Sequence, residues 1–165
     1  MKIRIAAILF MVALVLQGTL LNLFSIFGGT ANLLLCLVIM MTFLYENENA
    51  IYLGLFFGIL SDIAYSDMVG IASLGFLLVG YLTVQVRQIL NKENVFSVLI
   101  LSISGTLIYN VFYWFVTNLF NNNIDFLIFA KLQPVYIIYN LIIMMMIYFS
   151  LINRVVKHRK DRYYK

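Results

Sequence analysis

The sequence predicts an all-α, polytopic integral membrane protein with six transmembrane helices and both termini in the cytoplasm. Three observations lead there. First, 64% of the 165 residues are hydrophobic and 11% charged, with mean hydropathy +0.99, whereas soluble domains run at about 45–50% apolar and about 25% charged. Tracts such as Ile5 to Gln17 and Phe96 to Ser102 offer almost no polar residues from which to build a wet surface, so lipid must solvate most side chains. Second, these tracts have helical length, not the alternating segments of about ten residues that mark an outer-membrane barrel. Third, dividing the chain at its polar and glycine breaks gives six segments, and the basic residues then fall almost entirely on one side.

The first segment runs from Ile5 to Phe24. It follows Met-Lys-Ile-Arg and resembles a signal peptide, but no small-x-small cleavage site precedes polar sequence, so a retained first helix is expected. Gly28-Gly29-Thr30 turns the chain into a second segment, Ala31 to Tyr45. Glu46-Asn47-Glu48-Asn49 closes it, because two carboxylates at mid-bilayer would each cost about 2.5–3.5 kcal/mol on insertion scales. The third segment covers Ala50 to Tyr65, the fourth Val69 to Val86, the fifth Val95 to Thr117 and the sixth Pro134 to Ile152. Segments two and three are short for a hydrocarbon layer of about 30 Å, which suits local thinning or a hairpin that stops short of crossing. Between segments five and six, Asn118 to Gln133 forms the largest outer loop, with Phe126 to Phe129 at the interface.

Lys and Arg are retained in short cytoplasmic loops. Lys2 and Arg4, Arg87 and Lys92, and the tail residues Arg154, Lys157, Arg159, Lys160, Arg162 and Lys165 share one side in a six-span layout; only Lys131 lies opposite. The chain therefore divides into a transmembrane domain, residues 1–153, and a basic cytoplasmic tail, residues 154–165. The tail anchors orientation, and each basic residue near an anionic lipid surface adds about 1 kcal/mol of attraction; a cytoplasmic protein partner would use the same charges.

Little chemistry is available for catalysis. His158 is the single histidine and lies in the tail, so a Ser/His dyad and a two-histidine metal site each lack a component. Cys36, the single cysteine, excludes an internal disulfide and a thiolate metal cluster, and its apolar setting suits a packed thiol. No phosphate-cradling loop or nucleic-acid motif occurs. Asp62 and Asp67 flank a turn without the motif of an intramembrane aspartyl protease. A non-enzyme with no cofactor and no metal is expected.

The most informative segment is Gly54-Leu-Phe-Phe-Gly58-Ile-Leu-Ser-Asp62, continued by Gly70, Gly75, Gly80-Tyr81 and Arg87. Gly54, Gly58 and Asp62 recur every four residues and so form one slanting stripe on a helix, where missing side chains let another backbone approach. Gly70, Gly75 and Gly80 are five apart and point to different neighbours. Asp62 is the only acidic residue placed at or near the interior of a span, and a carboxylate there needs a partner or the interface. A helix-terminal carboxylate bonded to Ser61 or Ser66 is one reading, a conformational or partner-binding role another, and a proton or ion relay a third. Asn22, Asn110 and Asn140 are expected to tie helices together, at roughly 0.6–2 kcal/mol each.

With its size, six-span layout, Gly54-x-x-x-Gly58-x-x-x-Asp62 pattern, spaced Gly70, Leu-x-x-Gly80-Tyr81 segment, Arg87 and the entry Ala31-Asn32-Leu-Leu-Leu, the chain resembles the MreD family over nearly its whole length. This family is the small membrane component of the bacterial rod-shape machinery. Ala31 stands where members commonly have proline. The resemblance implies a non-enzymatic scaffold in the bacterial cytoplasmic membrane. It also implies binding to MreC and, in the same complex, to MreB, RodA and a class B penicillin-binding protein during side-wall peptidoglycan synthesis. Helices three and four would then carry the partner-facing groove. A different class, the substrate-capture component of an energy-coupling-factor vitamin transporter, is also small and six-helical. It requires a polar ligand pocket, for which the intramembrane polar residues look sparse.

Overall fold

The computed structural model describes the backbone of residues 3–23, 29–45, 48–66, 68–120 and 125–163, and side chains within these as far as residue 152, except 20–23. Six helices lie among the described residues: α1 (Ile3–Leu23), α2 (Leu33–Tyr45), α3 (Asn49–Tyr65), α4 (Ile71–Val86), α5 (Val95–Leu119) and α6 (Phe126–Tyr163). Both ends of each of the first five fall within two residues of the sequence expectation, and local chemistry explains where they begin. Asn32 accepts from Leu35 N at 2.9 Å at the start of α2, and Asn94 accepts from Phe96 N at 3.0 Å at the start of α5, each as a side-chain N-cap.

The sixth helix differs. It begins at Phe126, eight residues before the expected Pro134, and continues to Tyr163. Asp125 starts it, since its Oδ1 accepts from Leu127 N at 3.1 Å. Proline at a first helical position is common, which made Pro134 an attractive boundary. It instead lies inside α6, where its missing N–H leaves the Ala130 carbonyl without its usual partner. Residues 126–133 of the expected outer loop are thus helical, and Lys131 stands on α6. The basic segment after residue 153 continues the same helix; its side chains, and that of Asn22, lie outside the described residues.

Helix α2 is the axis of the bundle. It touches all five other helices, which follow around it in the order α1, α3, α4, α5, α6, with α3 and α4 forming the most extensive pair. All of Leu34 to Leu44 is buried, with Leu34, Leu35, Ile39, Met40, Met41 and Phe43 fully shielded. A continuous apolar run with no polar face suits a helix surrounded on every side. By length and composition α5 and the Phe126–Ile152 part of α6 are able to cross a membrane. At 1.5 Å per residue α2 spans only about 20 Å, against about 37 Å for α5, so the axial helix is shorter than the wall around it.

Candidate functional site

The glycine stripe of α3 lies against the axis and α4. A Cβ on Gly58 would sit 2.6 Å from Ser73 Cα and 2.9 Å from Ser73 N, and Gly54 faces Val38 of α2 and Phe76 of α4. Backbone approaches backbone at Gly58 because no side chain there holds the helices apart. The glycines of α4 serve different neighbours. A Cβ on Gly75 would lie 2.8 Å from the Tyr109 ring of α5, and one on Gly80 2.9 Å from Ile51 of α3 and 3.2 Å from Val38. Gly105 of α5, which the sequence pattern did not single out, makes the matching approach to Ile39 of α2 at 2.6 Å. Gly70 shapes the turn instead. It precedes α4 with φ 104° and has open space where a side chain would be, a backbone region that glycine occupies without strain.

Asp62 completes this junction. The first N–H groups of a helix lack intrahelical partners, and Gly70 has no side chain to supply one. Asp62, one turn from the end of α3 and 2% exposed, supplies it across the turn: its Oδ2 accepts from Gly70 N at 2.8 Å and from Ala72 N at 2.9 Å. A carboxylate at a helix N-terminus also meets the favourable end of the helix dipole. Of the two serines weighed as partners, Ser66 pairs its hydroxyl with that of Tyr113 of α5 at 3.1 Å. Asp67 lies outside the described residues.

Tyr81 projects outward from α4 at 57% exposure. Arg87, just past α4, places Nη2 2.8 Å from Glu48 Oε1 ahead of α3, and its Nη1 donates to the Thr42 carbonyl at 3.5 Å. These contacts collect the α2–α3 and α4–α5 connections at one end of the bundle. Tyr148 of α6 reaches the same end, donating to the Lys92 carbonyl at 3.2 Å. Asp62, Gly70 and Ser66 mark the other end.

At that other end, beyond the N-terminus of the short α2, the bundle leaves a cavity of about 460 Å³ to which every helix or its leading residues contribute. Among the described residues five amides line it, Gln17, Asn32, Asn110, Gln133 and Asn140, with Asp62 beside them. Asn140 Oδ1 accepts from Asn32 N at 2.8 Å, while its Nδ2 donates to Thr106 Oγ1 at 3.1 Å. Asn110 Nδ2 donates to Gln133 Oε1 at 2.9 Å. These bonds join α6 to the α2 entry and to α5. Six aromatic residues, Tyr65, Tyr109, Tyr113, Trp114, Phe129 and Tyr136, share the wall with Thr30, Ser61, Ser66 and the apolar Ala31, Ala72, Ile128 and Leu132. Tyr109 stacks on Phe76 at 5.2 Å and Trp114 on Phe129 at 5.3 Å. No Lys, Arg or His is among the described lining residues. Each span taken singly is sparse in polar groups, as expected, but folding gathers them at one place. Gln133 falls in the segment expected to be a loop, and Gln17 is an isolated amide in the first segment.

Compared with known proteins, residues 1–155 match the family described as rod shape-determining protein MreD. No curated protein and no solved structure matches the chain.

Proposed function

Since the chain belongs to the MreD family of rod shape-determining membrane proteins, we propose that it acts as a non-enzymatic scaffold. In this reading it binds MreC in the bacterial cytoplasmic membrane and supports side-wall peptidoglycan synthesis with MreB, RodA and a class B penicillin-binding protein. The observation that carries the reading is the family match over residues 1–155. The composition supports it: the described connections are short, which leaves helix faces as the main surfaces for a partner.

The scaffold crosses the membrane six times, with both termini cytoplasmic. Support for this layout comes from the pairing of Arg87 with Glu48 and of Tyr148 with Lys92 at one end, which is the end that the positive charge bias assigns to the cytoplasm. The α3–α4 hairpin presents MreC with its outward face, on which Tyr52, Phe56 and Ile63 of α3 and Leu74, Leu77 and Tyr81 of α4 are exposed. Its glycine face is already occupied by α2, α4 and α5. The tail residues Arg154, Lys157, Arg159, Lys160 and Arg162 contact anionic lipid or a cytoplasmic partner.

Affinity capture of the full chain from native membranes tests the reading. MreC should co-purify, depletion should convert rods to rounded cells, and Tyr81→Ala should weaken capture of MreC while the protein still inserts. Normal rod shape after depletion would refute the scaffold role; unchanged capture with Tyr81→Ala would refute the assignment of its face.

A further inference from the structure

A scaffold needs no binding pocket, yet the end of this bundle opposite Arg87 holds a half-open one with a chemically consistent wall. We propose that it binds a small, uncharged molecule bearing a planar, hydrogen-bonding ring. Its volume of about 460 Å³ lies in the range of about 300–1,000 Å³ found for small-molecule sites. The size follows from the fold, because α2 ends short of the helices around it and Asn32, at its N-cap, faces the space that a longer helix would fill.

The wall selects the ligand class. The Asn110–Gln133 and Asn140 bonds engage part of the amide set, but an amide has two donor hydrogens and two acceptor lone pairs, and the capacity left over suits a ring edge carrying N–H, C=O or ring nitrogen. Tyr109, Tyr113 and Trp114 add ring faces for stacking. A planar ring would cover those faces while its edge met the amides. Charge points the same way. With no Lys, Arg or His among the described lining residues, no side-chain cation there compensates the desolvation of an anion, and Asp62 lies beside it. Asp62, meanwhile, directs Oδ2 to the N-terminus of α4, which offsets its attraction for a cation. A neutral ligand therefore fits best.

The chain supplies its own reporter, because Trp114 is its single tryptophan and lines the cavity. The full-length protein in lipid nanodiscs would be titrated with nicotinamide, pyridoxine and adenine as neutral planar heterocycles, nicotinate as an anionic counterpart and N-acetylglucosamine as a neutral non-planar ring. Saturable change of Trp114 fluorescence and a raised Tm with at least one neutral heterocycle, and neither with nicotinate, is the expected result. Asn110→Leu should weaken that binding about tenfold, the effect of losing one hydrogen bond of about 1.4 kcal/mol; Gln133→Met serves if the first variant does not fold. Absence of a saturable response to all three heterocycles would overturn the proposal. So would equal binding of nicotinate, binding of N-acetylglucosamine alone, or unchanged affinity in a folded variant. Capture of MreC is a separate readout, so failure here leaves the scaffold reading standing.

Discussion

Replacing Gly58 with alanine tests the approach of one helix backbone to another. The added Cβ would sit 2.6 Å from Ser73 Cα, 2.9 Å from Ser73 N and 2.9 Å from a ring carbon of Phe76. Carbon atoms pack best at about 3.5–4.0 Å, so α3 and α4 would have to part by roughly 1 Å. Two of the obstructing atoms are backbone and cannot rotate away. Overpacking of this kind typically costs about 1–3 kcal/mol. The Asp62 bonds to Gly70 N and Ala72 N, 2.8 and 2.9 Å long, bridge the same two helices and would lengthen with the separation. Alanine's better helix propensity works in the other direction by up to about 1 kcal/mol, leaving a net loss of up to about 2 kcal/mol. Thermal unfolding followed by circular dichroism in detergent should show a Tm lowered by several degrees. Gly75→Ala should do less harm, because its Cβ would meet the Tyr109 ring at 2.8 Å and a side chain is able to shift. A Gly58→Ala protein as stable as the parent would refute the reasoning, since it would mean that α3 and α4 are not in backbone contact.

Asp62→Ala strands the N–H groups of Gly70 and Ala72 and should cost about 1–3 kcal/mol; Asp62→Asn keeps an acceptor and should recover more than half of that, as read from the same melts. Gly70→Ala meets no neighbour but inherits φ 104°, so a loss of about 1 kcal/mol or more is expected from backbone strain alone, and Gly70→Asn should be milder. Asn140→Leu removes the links to Asn32 N and Thr106 and should cost roughly 0.6–2 kcal/mol, measured by denaturant unfolding in mixed micelles. Glu48 is 62% exposed, so Glu48→Gln should cost under about 1 kcal/mol, and the difference from the parent should shrink in high salt.

The all-α class and most helix limits were legible because they rest on local chemistry: apolar length and polar breaks such as Glu46 to Asn49. The four-residue spacing of Gly54, Gly58 and Asp62 is enough by itself to mark a packing seam, and their common stripe does lie along α2 and α4. Two things were not legible. Pro134 carried a helix-start signal stronger to the eye than that of Asp125, although the real cap was the aspartate. The cavity depends on residues distant along the chain, such as Asn32 and Asn140, 108 positions apart. Its existence depends on the shortness of α2 relative to α5, a relation between helices that no window of sequence contains.

The axial position of α2 constrains biogenesis. This helix leaves the ribosome second of the six, yet one of the walls that encloses it, α6, is the last of them to be made, and the bond from Asn32 N to Asn140 cannot form until then. During synthesis α2 must therefore wait with one flank uncovered, held only by α1, α3, α4 and α5. Such late-closing, long-separation contacts slow folding and prolong exposure to mispairing. A chain cut before α6 would be stranded in that half-built state, a natural target for membrane quality-control proteases.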